Sequence, residues 1–244
     1  MKYIMSIYSN FIDCKKYHKC TLSLKKLIFP RINERKLKQL MIDNESIKYI
    51  THAKTAQNIT NIIKENLYDF PCPFHCNEEI WMTMSSDMRM KNLVITEMTA
   101  GVGGNVLNFA YHFKYVNAIE IHPLRYKYLN NNINAYEYLN VNCYNDDSIN
   151  LLINKDDLWQ DIIFFDPPWG GENYKTHQNL HLKFGEYSIE NICKIIFMKG
   201  NNQMIILKLP NNYDFISFQE ELKDYRISIH YLDRLTLVLI KKHH

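Results

Sequence analysis

The chain has 244 residues, of which 46% are hydrophobic and 23% are charged, and these values are typical of a soluble globular protein with one medium-sized domain. No apolar run approaches the roughly 20 residues that cross a bilayer, and the first residues lack the apolar stretch and small-residue cleavage site of a signal peptide. Six cysteines in a chain of this length do not make a disulfide framework. We therefore expect an intracellular protein of the cytoplasm or nucleus, with reduced thiols and no membrane association.

The charge is unevenly distributed along the chain. Residues 1–70 carry 13 basic and 6 acidic side chains, whereas residues 71–244 carry 16 and 20. A basic segment suits a polyanionic partner such as RNA, although a solvated lysine-rich helical face explains it equally well. We divide the chain into a basic, mainly helical extension over residues 1–90 and a second domain over residues 91–244. The lysines proposed to meet a polyanion are Lys36, Lys38, Lys48 and Lys54.

Within the extension, residues 1–30 contain only short mixed runs, which predict weakly ordered strand or helix. The spacing of apolar residues predicts helices over residues 31–42 and from about 52 to 67. Cysteine and histidine occur close together at Cys72, His75 and Cys76, with Cys14, His18 and Cys20 far upstream. The Cys-x3-Cys spacing is loose and no paired motif follows it, so we expect no metal site.

From residue 93 onward, strand and helix patterns alternate. Strands are predicted over residues 93–97, 116–121, 141–144, 162–165 and 204–209, and helices over 105–113, 123–138, 187–198 and 215–223. Such alternation predicts a doubly wound α/β fold with a parallel sheet. Residues 226–232 and 235–241 then form two strands joined by two residues, a link that permits only antiparallel neighbours. A seven-stranded, mostly parallel sheet with a C-terminal antiparallel hairpin is typical of Rossmann-like class I methyltransferases.

A glycine-containing loop follows the first predicted strand and leads into a helix. It runs from Glu97 to Asn105, and its glycines allow a close approach of backbone to ligand. Glu120 ends the second strand, where a carboxylate can bind both hydroxyls of a ribose. The third glycine of a dinucleotide fingerprint is replaced by Val106, and no phosphate-binding Lys-Ser/Thr pair is present, which favours S-adenosyl-L-methionine. The predicted cofactor residues are Glu97, Thr99, Gly101, Gly103, Glu120 and, at the adenine amino group, Asp147, with Asp146 as the alternative.

A second motif, residues 166–171, directly follows the predicted strand 162–165. Its two prolines must end that strand because neither can donate to the sheet, and the carboxyl edge of an open α/β sheet is where ligands bind. The Asp166 carboxylate and the Pro167 carbonyl can accept both hydrogens of a purine amine, and Trp169 can stack on the base. We therefore assign catalytic roles to Asp166 and Pro167 and substrate binding to Trp169. The alternative is that Trp169 is core and the prolines merely end the strand.

With these motifs in place, the stretch from Glu97 to Gly171 resembles the trimethylguanosine synthase family of cap guanine-N2 methyltransferases. The similarity rests on residues 101–105, 118–123, 131–132 and above all Pro-Pro-Trp-Gly-Gly at 167–171, with a fainter match at residues 208–210. Two positions depart from the family, since cellular relatives commonly have serine at the position of Asp166 and aspartate at that of Glu97. Asp-Pro-Pro-Trp also occurs in adenine-N6 methyltransferases, but there it precedes the cofactor glycines. Here it follows them, which favours guanine.

The resemblance implies methyl transfer from S-adenosyl-L-methionine to the exocyclic 2-amino group of an N7-methylguanosine RNA cap. It implies a monomeric, metal-independent enzyme that binds capped RNA and, in a viral member, acts in the host cytoplasm. The positive charge of an N7-methylated guanine would strengthen both its stacking on Trp169 and its attraction to Asp166. Two alternatives stay open: methylation of adenine N6, or of guanine N2 in ribosomal or transfer RNA, and a non-catalytic RNA-binding subunit. The intact motif residues argue against the last.

Overall fold

A seven-stranded sheet forms the framework of the computed structural model, which describes residues 20–154, 158–200 and 202–243. Its strands are β1 (Val94–Glu97), β2 (Tyr115–Ile119), β3 (Val141–Tyr144), β4 (Ile162–Phe165), β7 (Met204–Leu209), β8 (Arg226–Tyr231) and β9 (Thr236–Lys241). A separate two-stranded hairpin consists of β5 (Lys183–Phe184) and β6 (Tyr187–Ser188). The strands of the large sheet lie in the order β3-β2-β1-β4-β7-β9-β8.

The first five strands of that order are parallel, and β9 pairs antiparallel with both β7 and β8. The predicted mostly parallel fold with a C-terminal antiparallel pair is therefore confirmed. The structure adds one detail: β9, the last strand in the sequence, lies between β7 and β8 and is antiparallel to both. The carboxyl ends of β1, β2 and β4 consequently meet at one edge of the sheet, which is the edge that the two motifs follow.

Helices pack on both faces of the sheet. They are α1 (Leu22–Ile28), α2 (Glu34–Gln39), α3 (Ser46–Tyr49), α4 (Ala53–Glu65), α5 (Glu78–Thr83), α6 (Ser86–Met90), α7 (Val106–His112), α8 (Pro123–Tyr136), α9 (Ser148–Asn154), α10 (Ile189–Met198) and α11 (Phe215–Glu221). Side-chain caps define several starts: Asn33 accepts a hydrogen bond from the Lys36 amide, and Ser188 accepts one from Asn191. Helix α8 ends where Glu137 takes a left-handed conformation, with φ of 59°.

Alternate side chains of the buried strands enter two hydrophobic cores, one on each face. On one face, Ile95 and Phe164 pack with Phe109 of α7 and with Ile59 of the extension. On the other face, Ile163 and Phe165 pack with residues of α10 and α11. The extension thus shares a core with the sheet, and the ion pair between Asp69 and Lys241 (2.7 Å) ties it to β9. The division at residue 90 stays a prediction about chain organisation.

The structure corrects several boundaries. The helix predicted over residues 31–42 is limited to Glu34–Gln39, because Leu40 is already extended. The helix predicted from residue 187 begins at Ile189, because Tyr187 and Ser188 belong to the small hairpin. The short helices α5, α6 and α9 were not predicted, since five to seven residues show too little periodicity. Helix α4 agrees with its prediction within two residues at each end, whereas predictions for residues 1–19 lie outside the described residues.

Candidate active site

The glycine loop follows β1 and is tied to its neighbours by backbone hydrogen bonds. The amide of Ala100 donates to the carbonyl of Ile119 (2.8 Å), at the end of β2. Gly101 and Gly103 have φ of 55° and 105°, conformations that favour glycine. A Cβ placed on Gly101 would meet no described atom within 4 Å, whereas one on Gly103 would lie 3.2 Å from Leu129. Gly101 therefore faces open space in front of the loop, where a ligand can approach the backbone.

Glu120 lies directly against this loop. Its Oε2 accepts a hydrogen bond from the Gly101 amide (2.8 Å), and its Oε1 accepts one from the His122 amide (2.8 Å). The side chain is 6% exposed, and this burial raises the pKa of the carboxyl. Carboxylate oxygens have further lone pairs after these bonds. The geometry is compatible with ribose binding, and this role of Glu120 stays a prediction.

Glu97, at the end of β1, is almost fully buried, with 1% of its surface exposed. Burial and the neighbouring Asp166 raise the pKa of Glu97 to about 8. Thr99 Oγ1 lies 3.3 Å from Glu97 Oε1, and the Asn105 side chain interacts with the Glu97 carboxyl and lowers its pKa. The buried oxygens Glu97 Oε2 and Asn105 Oδ1 have no donor at full hydrogen-bond geometry among the described residues. Unsatisfied buried acceptors are rare. Two of them beside the glycine loop fit a ligand that brings hydrogen-bond donors, such as the amino group of S-adenosyl-L-methionine.

The two candidate adenine ligands have different surroundings. Oδ1 of Asp147 accepts hydrogen bonds from the amides of Ile149 (2.9 Å) and Asn150 (3.3 Å) and so caps helix α9. Oδ1 of Asp146 accepts a bond from the Asp147 amide (2.9 Å). Both carboxylates therefore hold the loop after β3 in shape. The choice between them as adenine ligand stays a prediction.

The second motif leaves the sheet at Asp166, whose backbone is fixed by Thr99. Thr99 Oγ1 lies 3.0 Å from the Asp166 carbonyl oxygen and 3.3 Å from its amide nitrogen. Pro167 is buried and Pro168 is exposed. Gly170 and Gly171 have φ of 88° and 74° and turn the chain into a 3-10 helix, Gly171–Thr176. Through Thr99, the glycine loop and the Asp166 motif share one hydrogen-bond network.

Trp169 is half-buried, and its indole ring is held at two sides. Its Nε1 donates to the backbone carbonyl of Lys208 (3.2 Å), and Tyr174 packs edge-on with ring centroids 5.1 Å apart. The ring also packs against the second hydrophobic core. These contacts fix the orientation of a partly exposed aromatic ring, as a base-stacking residue requires. Stacking on a substrate base stays a prediction.

Two residues in the site were not predicted. Lys208 Nζ lies 2.5 Å from Asp166 Oδ2 and 3.0 Å from Thr51 Oγ1. The sequence contains one signal for Lys208, since it is a charged residue within the buried apolar strand Met204–Leu209. No local signal points to Thr51. The predicted attraction of a cationic base to Asp166 did not take Lys208 into account. The ammonium group of Lys208 already partly neutralises the Asp166 carboxylate.

The extension also reaches the site through Asn132 on α8, whose side chain is fully buried. Its Nδ2 donates to the carbonyls of Met41 (2.9 Å) and Val102 (2.8 Å), and its Oδ1 accepts from the Met41 amide (2.7 Å). Asn132 thus joins the extension to the glycine loop. Its neighbour Asn131 donates to the carbonyl of Gln39 (2.8 Å).

The predicted polyanion-binding lysines do not share one environment. Lys36 pairs with Glu137 (2.8 Å), and Lys38 pairs with Glu34 one helical turn away (3.0 Å). Lys48 and Lys54 are exposed on α3 and α4, on either side of Thr51 in the sequence. These two lysines are therefore the better candidates for contact with a polyanion near the site.

Within residues 20–154, 158–200 and 202–243, no group of three His, Cys, Asp or Glu side chains is arranged to hold a metal ion. His75 Nε2 lies 3.0 Å from the carbonyl of Asn92, and Cys14 and His18 lie outside the described residues. No helix in the described part of the chain combines the length and apolarity needed to cross a membrane.

Comparison with known proteins places this site in a family. Residues 92–238 match the family model described as RNA cap guanine-N2 methyltransferase. The chain is 62% identical over 221 residues to an uncharacterized protein of Acanthamoeba polyphaga mimivirus, covering 91% of this chain and 86% of that protein. The matched region contains both motifs and all the predicted site residues.

Solved structures support the fold. The fold matches that of a Listeria monocytogenes protein, which is named as a class I S-adenosylmethionine-dependent methyltransferase. The TM-score is 0.54 at 11% identity, and the match covers 86% of this chain and 65% of that one. The fold also matches that of an Escherichia coli protein, which is named as a methyltransferase. The TM-score is 0.52 at 11% identity, and the match covers 80% of this chain and 90% of that one. The cofactor is accordingly S-adenosyl-L-methionine, and the protein is a methyltransferase. The chain belongs to the RNA cap guanine-N2 methyltransferase family.

Proposed function

We propose that this protein transfers a methyl group to the exocyclic 2-amino group of the N7-methylguanosine cap of RNA. The observation that supports this proposal most strongly is the arrangement at the end of β4. There the Asp166 carboxylate, the Pro167 carbonyl and the Trp169 ring follow one another, and Thr99 connects this motif to the glycine loop. Two acceptors beside an aromatic ring match an amine on a planar base.

The exocyclic amine of a purine is a weak nucleophile. Its lone pair is delocalised into the purine ring, so the site must fix the nitrogen in line with the methyl donor. Asp166 and Pro167 each accept one amine hydrogen, which orients the nitrogen and polarises its N–H bonds. Asp166 is also placed to take the proton that the amine loses as the new N–C bond forms. Trp169 limits the base to one plane.

The cofactor side uses the residues around the glycine loop. When bound, S-adenosyl-L-methionine supplies an activated methyl group on a sulfonium. Gly101 leaves room for close approach of the ligand, Glu120 offers acceptors for ribose hydroxyls, and Glu97 with Asn105 offers acceptors for an amino group. No metal is needed for this chemistry, because charge on the reacting atoms is relieved by methyl transfer and proton loss.

The test is methyl transfer to a cap dinucleotide with N7 methylated, to the same dinucleotide without that methyl, and to uncapped RNA. Mass spectrometry of the digested products identifies the modified base and atom. We expect methylation at guanine N2 of the N7-methylated cap and much slower transfer to the other two. Methylation of adenine N6, or of guanine within uncapped RNA, would replace the cap proposal by the alternative nucleic-acid substrates.

A further inference from the structure

The ammonium group of Lys208 connects three separate parts of the chain beside Asp166 and Trp169. It contacts Asp166 of the second motif, Thr51 of the extension and the face of Trp169, with 5.6 Å from Nζ to the ring centroid. We propose that Lys208 is a positioning residue: it holds the Asp166 carboxylate charged and in one orientation, and it anchors Thr51 beside the glycine loop. This inference rests on the proposed function, which gives Asp166 its contact with the amine.

The burial of Lys208 makes these contacts obligatory. Its side chain is 8% exposed, and a buried ammonium group is stable only when oxygen acceptors replace its water. Asp166 Oδ2 (2.5 Å) and Thr51 Oγ1 (3.0 Å) are those acceptors. The Lys208 carbonyl meanwhile accepts the Trp169 indole N–H (3.2 Å). One residue of β7 therefore fixes the carboxylate with its side chain and the aromatic ring with its backbone.

Asp166 needs this partner because its burial disfavours its charge. Burial raises the pKa of Asp166, and Lys208 opposes that shift. Glu97 lies near Asp166 at the end of β1, and the charge of Asp166 contributes to the raised pKa of Glu97, which favours a neutral Glu97 beside a charged Asp166. Thr99 contacts the backbone of Asp166. A protonated Asp166 would lose acceptor capacity at the atom that should receive an amine hydrogen. Lys208 is the cation among the described residues that maintains the charged acceptor.

Thr51 gives the extension a second role besides its basic charge. Its side chain is 6% exposed and accepts from Lys208, and its backbone packs on Gly104, where an added Cβ would lie 2.8 Å from the Thr51 carbonyl oxygen. The segment before α4 is therefore held between the two motif loops. By this arrangement the extension helps to set the orientation of Lys208, independently of any contact with RNA phosphates.

The experiment compares Lys208→Met and Lys208→Gln, which remove the charge, with Lys208→Arg, which keeps it. The pH dependence of kcat is measured with N7-methylated cap dinucleotide. We expect the acidic limb of the profile to move upward by at least one pH unit in the two neutral variants, and kcat at pH 7 to fall at least tenfold. Lys208→Arg should restore most of the rate, and the Kd for S-adenosyl-L-methionine should change by no more than a few-fold. Coincident acidic limbs in wild type and a neutral variant would overturn the inference.

A substrate-free measurement separates this inference from the proposed function. The carboxyl carbon of Asp166, assigned with Asp166→Asn, is titrated by NMR in wild type and in Lys208→Gln. We expect its titration to move upward by at least one pH unit in the variant. If the cap is not methylated but this shift is observed, the proposed substrate fails and the pairing stands. An unchanged titration disproves the pairing whatever the substrate is.

If the single Lys208 variants are too unstable for kinetic measurements, comparison of their thermal stability with that of a double variant still tests the pairing. If Lys208→Met leaves an unpaired buried carboxylate, the double variant Asp166→Asn/Lys208→Met should unfold at a higher temperature than Lys208→Met alone. A double variant no more stable than Lys208→Met would refute the charge pairing. For the extension, Thr51→Val should lower kcat several-fold while Thr51→Ser retains it. Equal rates in both variants would show that the hydroxyl does not position Lys208.

Discussion

Gly104 lies so close to Thr51 that a methyl group on its α-carbon would come within 2.8 Å of the Thr51 carbonyl oxygen. The same group would come within 2.7 Å of the Cγ1 atom of Ile50. Because one of the two clashes involves backbone, a rotamer change alone cannot relieve it. Glycine at this position therefore allows the extension to pack directly on the cofactor loop.

Gly104→Ala should force the extension away from the loop. We expect a loss of roughly 1–3 kcal/mol in the free energy of unfolding, which is typical of overpacking, and weaker cofactor binding. Gly101→Ala is the matched control, since its Cβ meets no described atom within 4 Å. Its φ of 55° adds strain of about 1–2 kcal/mol, so its main effect should be on cofactor affinity.

Chemical denaturation and calorimetric titration of S-adenosyl-L-methionine distinguish the two glycine variants. We expect Gly104→Ala to lose more free energy of unfolding than Gly101→Ala. Gly101→Ala should instead lose more cofactor affinity relative to its loss of stability. Equal effects of both variants on both quantities would contradict the assignment of Gly104 to the extension contact.

Glu97 should make stability depend on pH. The pKa of its carboxyl is about 8 in the folded protein, against 4.5 as its ordinary value. The folded state therefore binds the extra proton between these values, and stability is lost as pH rises through that window. Glu97→Gln removes this loss. We expect the cofactor-free variant to be more stable than wild type by roughly 4 kcal/mol at pH 8, since the pKa rises from 4.5 to about 8 and one pKa unit corresponds to about 1.4 kcal/mol, and by less than about 1 kcal/mol at pH 5.

The same carboxyl should couple cofactor binding to proton release. An ammonium group beside Glu97 favours the ionised carboxylate, so binding near pH 7 should release a proton and affinity should rise with pH toward 8. Calorimetry in buffers of different ionisation enthalpy measures this release. Glu97→Gln should bind more weakly and release fewer protons. Proton release of the same size in wild type and variant would show that the ammonium group binds elsewhere.

Trp169 should govern affinity for the base. Trp169→Ala should raise KM for N7-methylated cap dinucleotide by about one to two orders of magnitude, because stacking of a base on an aromatic ring is worth ~1–3 kcal/mol. Trp169→Phe should recover part of this loss. Initial rates over a range of cap concentrations measure both effects. The cofactor KM serves as the control, and a change there as large as in the cap KM would indicate general damage to the site.

Asn132 should couple the extension to the cofactor loop. Asn132→Ala leaves the Val102 carbonyl without this partner in a buried position, and the Met41 amide and carbonyl without it in a partly buried one, so we expect a loss of roughly 2–4 kcal/mol in stability. Asn131→Ala is the control because it removes only an exposed bond to Gln39 and a longer bond to Asn132 Oδ1 (3.3 Å), and it leaves the bonds of Asn132 to the backbone in place, so it should cost less than about 1 kcal/mol. Urea unfolding of both variants provides the comparison. Similar losses would mean that Asn132 is not the main connection.

The fold was predictable where burial leaves a simple pattern. Strand β4 has the predicted bounds because four consecutive apolar residues ended by prolines have few alternatives. Short helices such as Glu78–Thr83 were missed because their positions depend on packing of Trp81, which lies under Arg89 and donates to the Phe70 carbonyl. Local periodicity contains no information about such contacts.

In the site, the loop motifs were predictable because their residue types follow strand ends. The contact between Lys208 and Thr51 was not, because it joins residues 157 positions apart. A lysine inside an apolar strand signals that a partner exists without identifying that partner. The charge beside Asp166 and Trp169 therefore depends on the tertiary contact with Lys208 and could not be derived from the motif at 166–171 alone.

The ion pair between Asp69 and Lys241 also constrains the order in which the chain can fold. These residues are 172 positions apart, and Lys241 ends a strand that is inserted between two others. During synthesis, the helices of the extension leave the ribosome long before β7 and β9 exist to receive them. Contacts of such long range are slow to form, so the pairing of Asp69 with Lys241 should form after the contacts within the extension, such as the hydrogen bond from Trp81 to the Phe70 carbonyl. We expect refolding in which burial of Trp81 precedes formation of the pairing with β9.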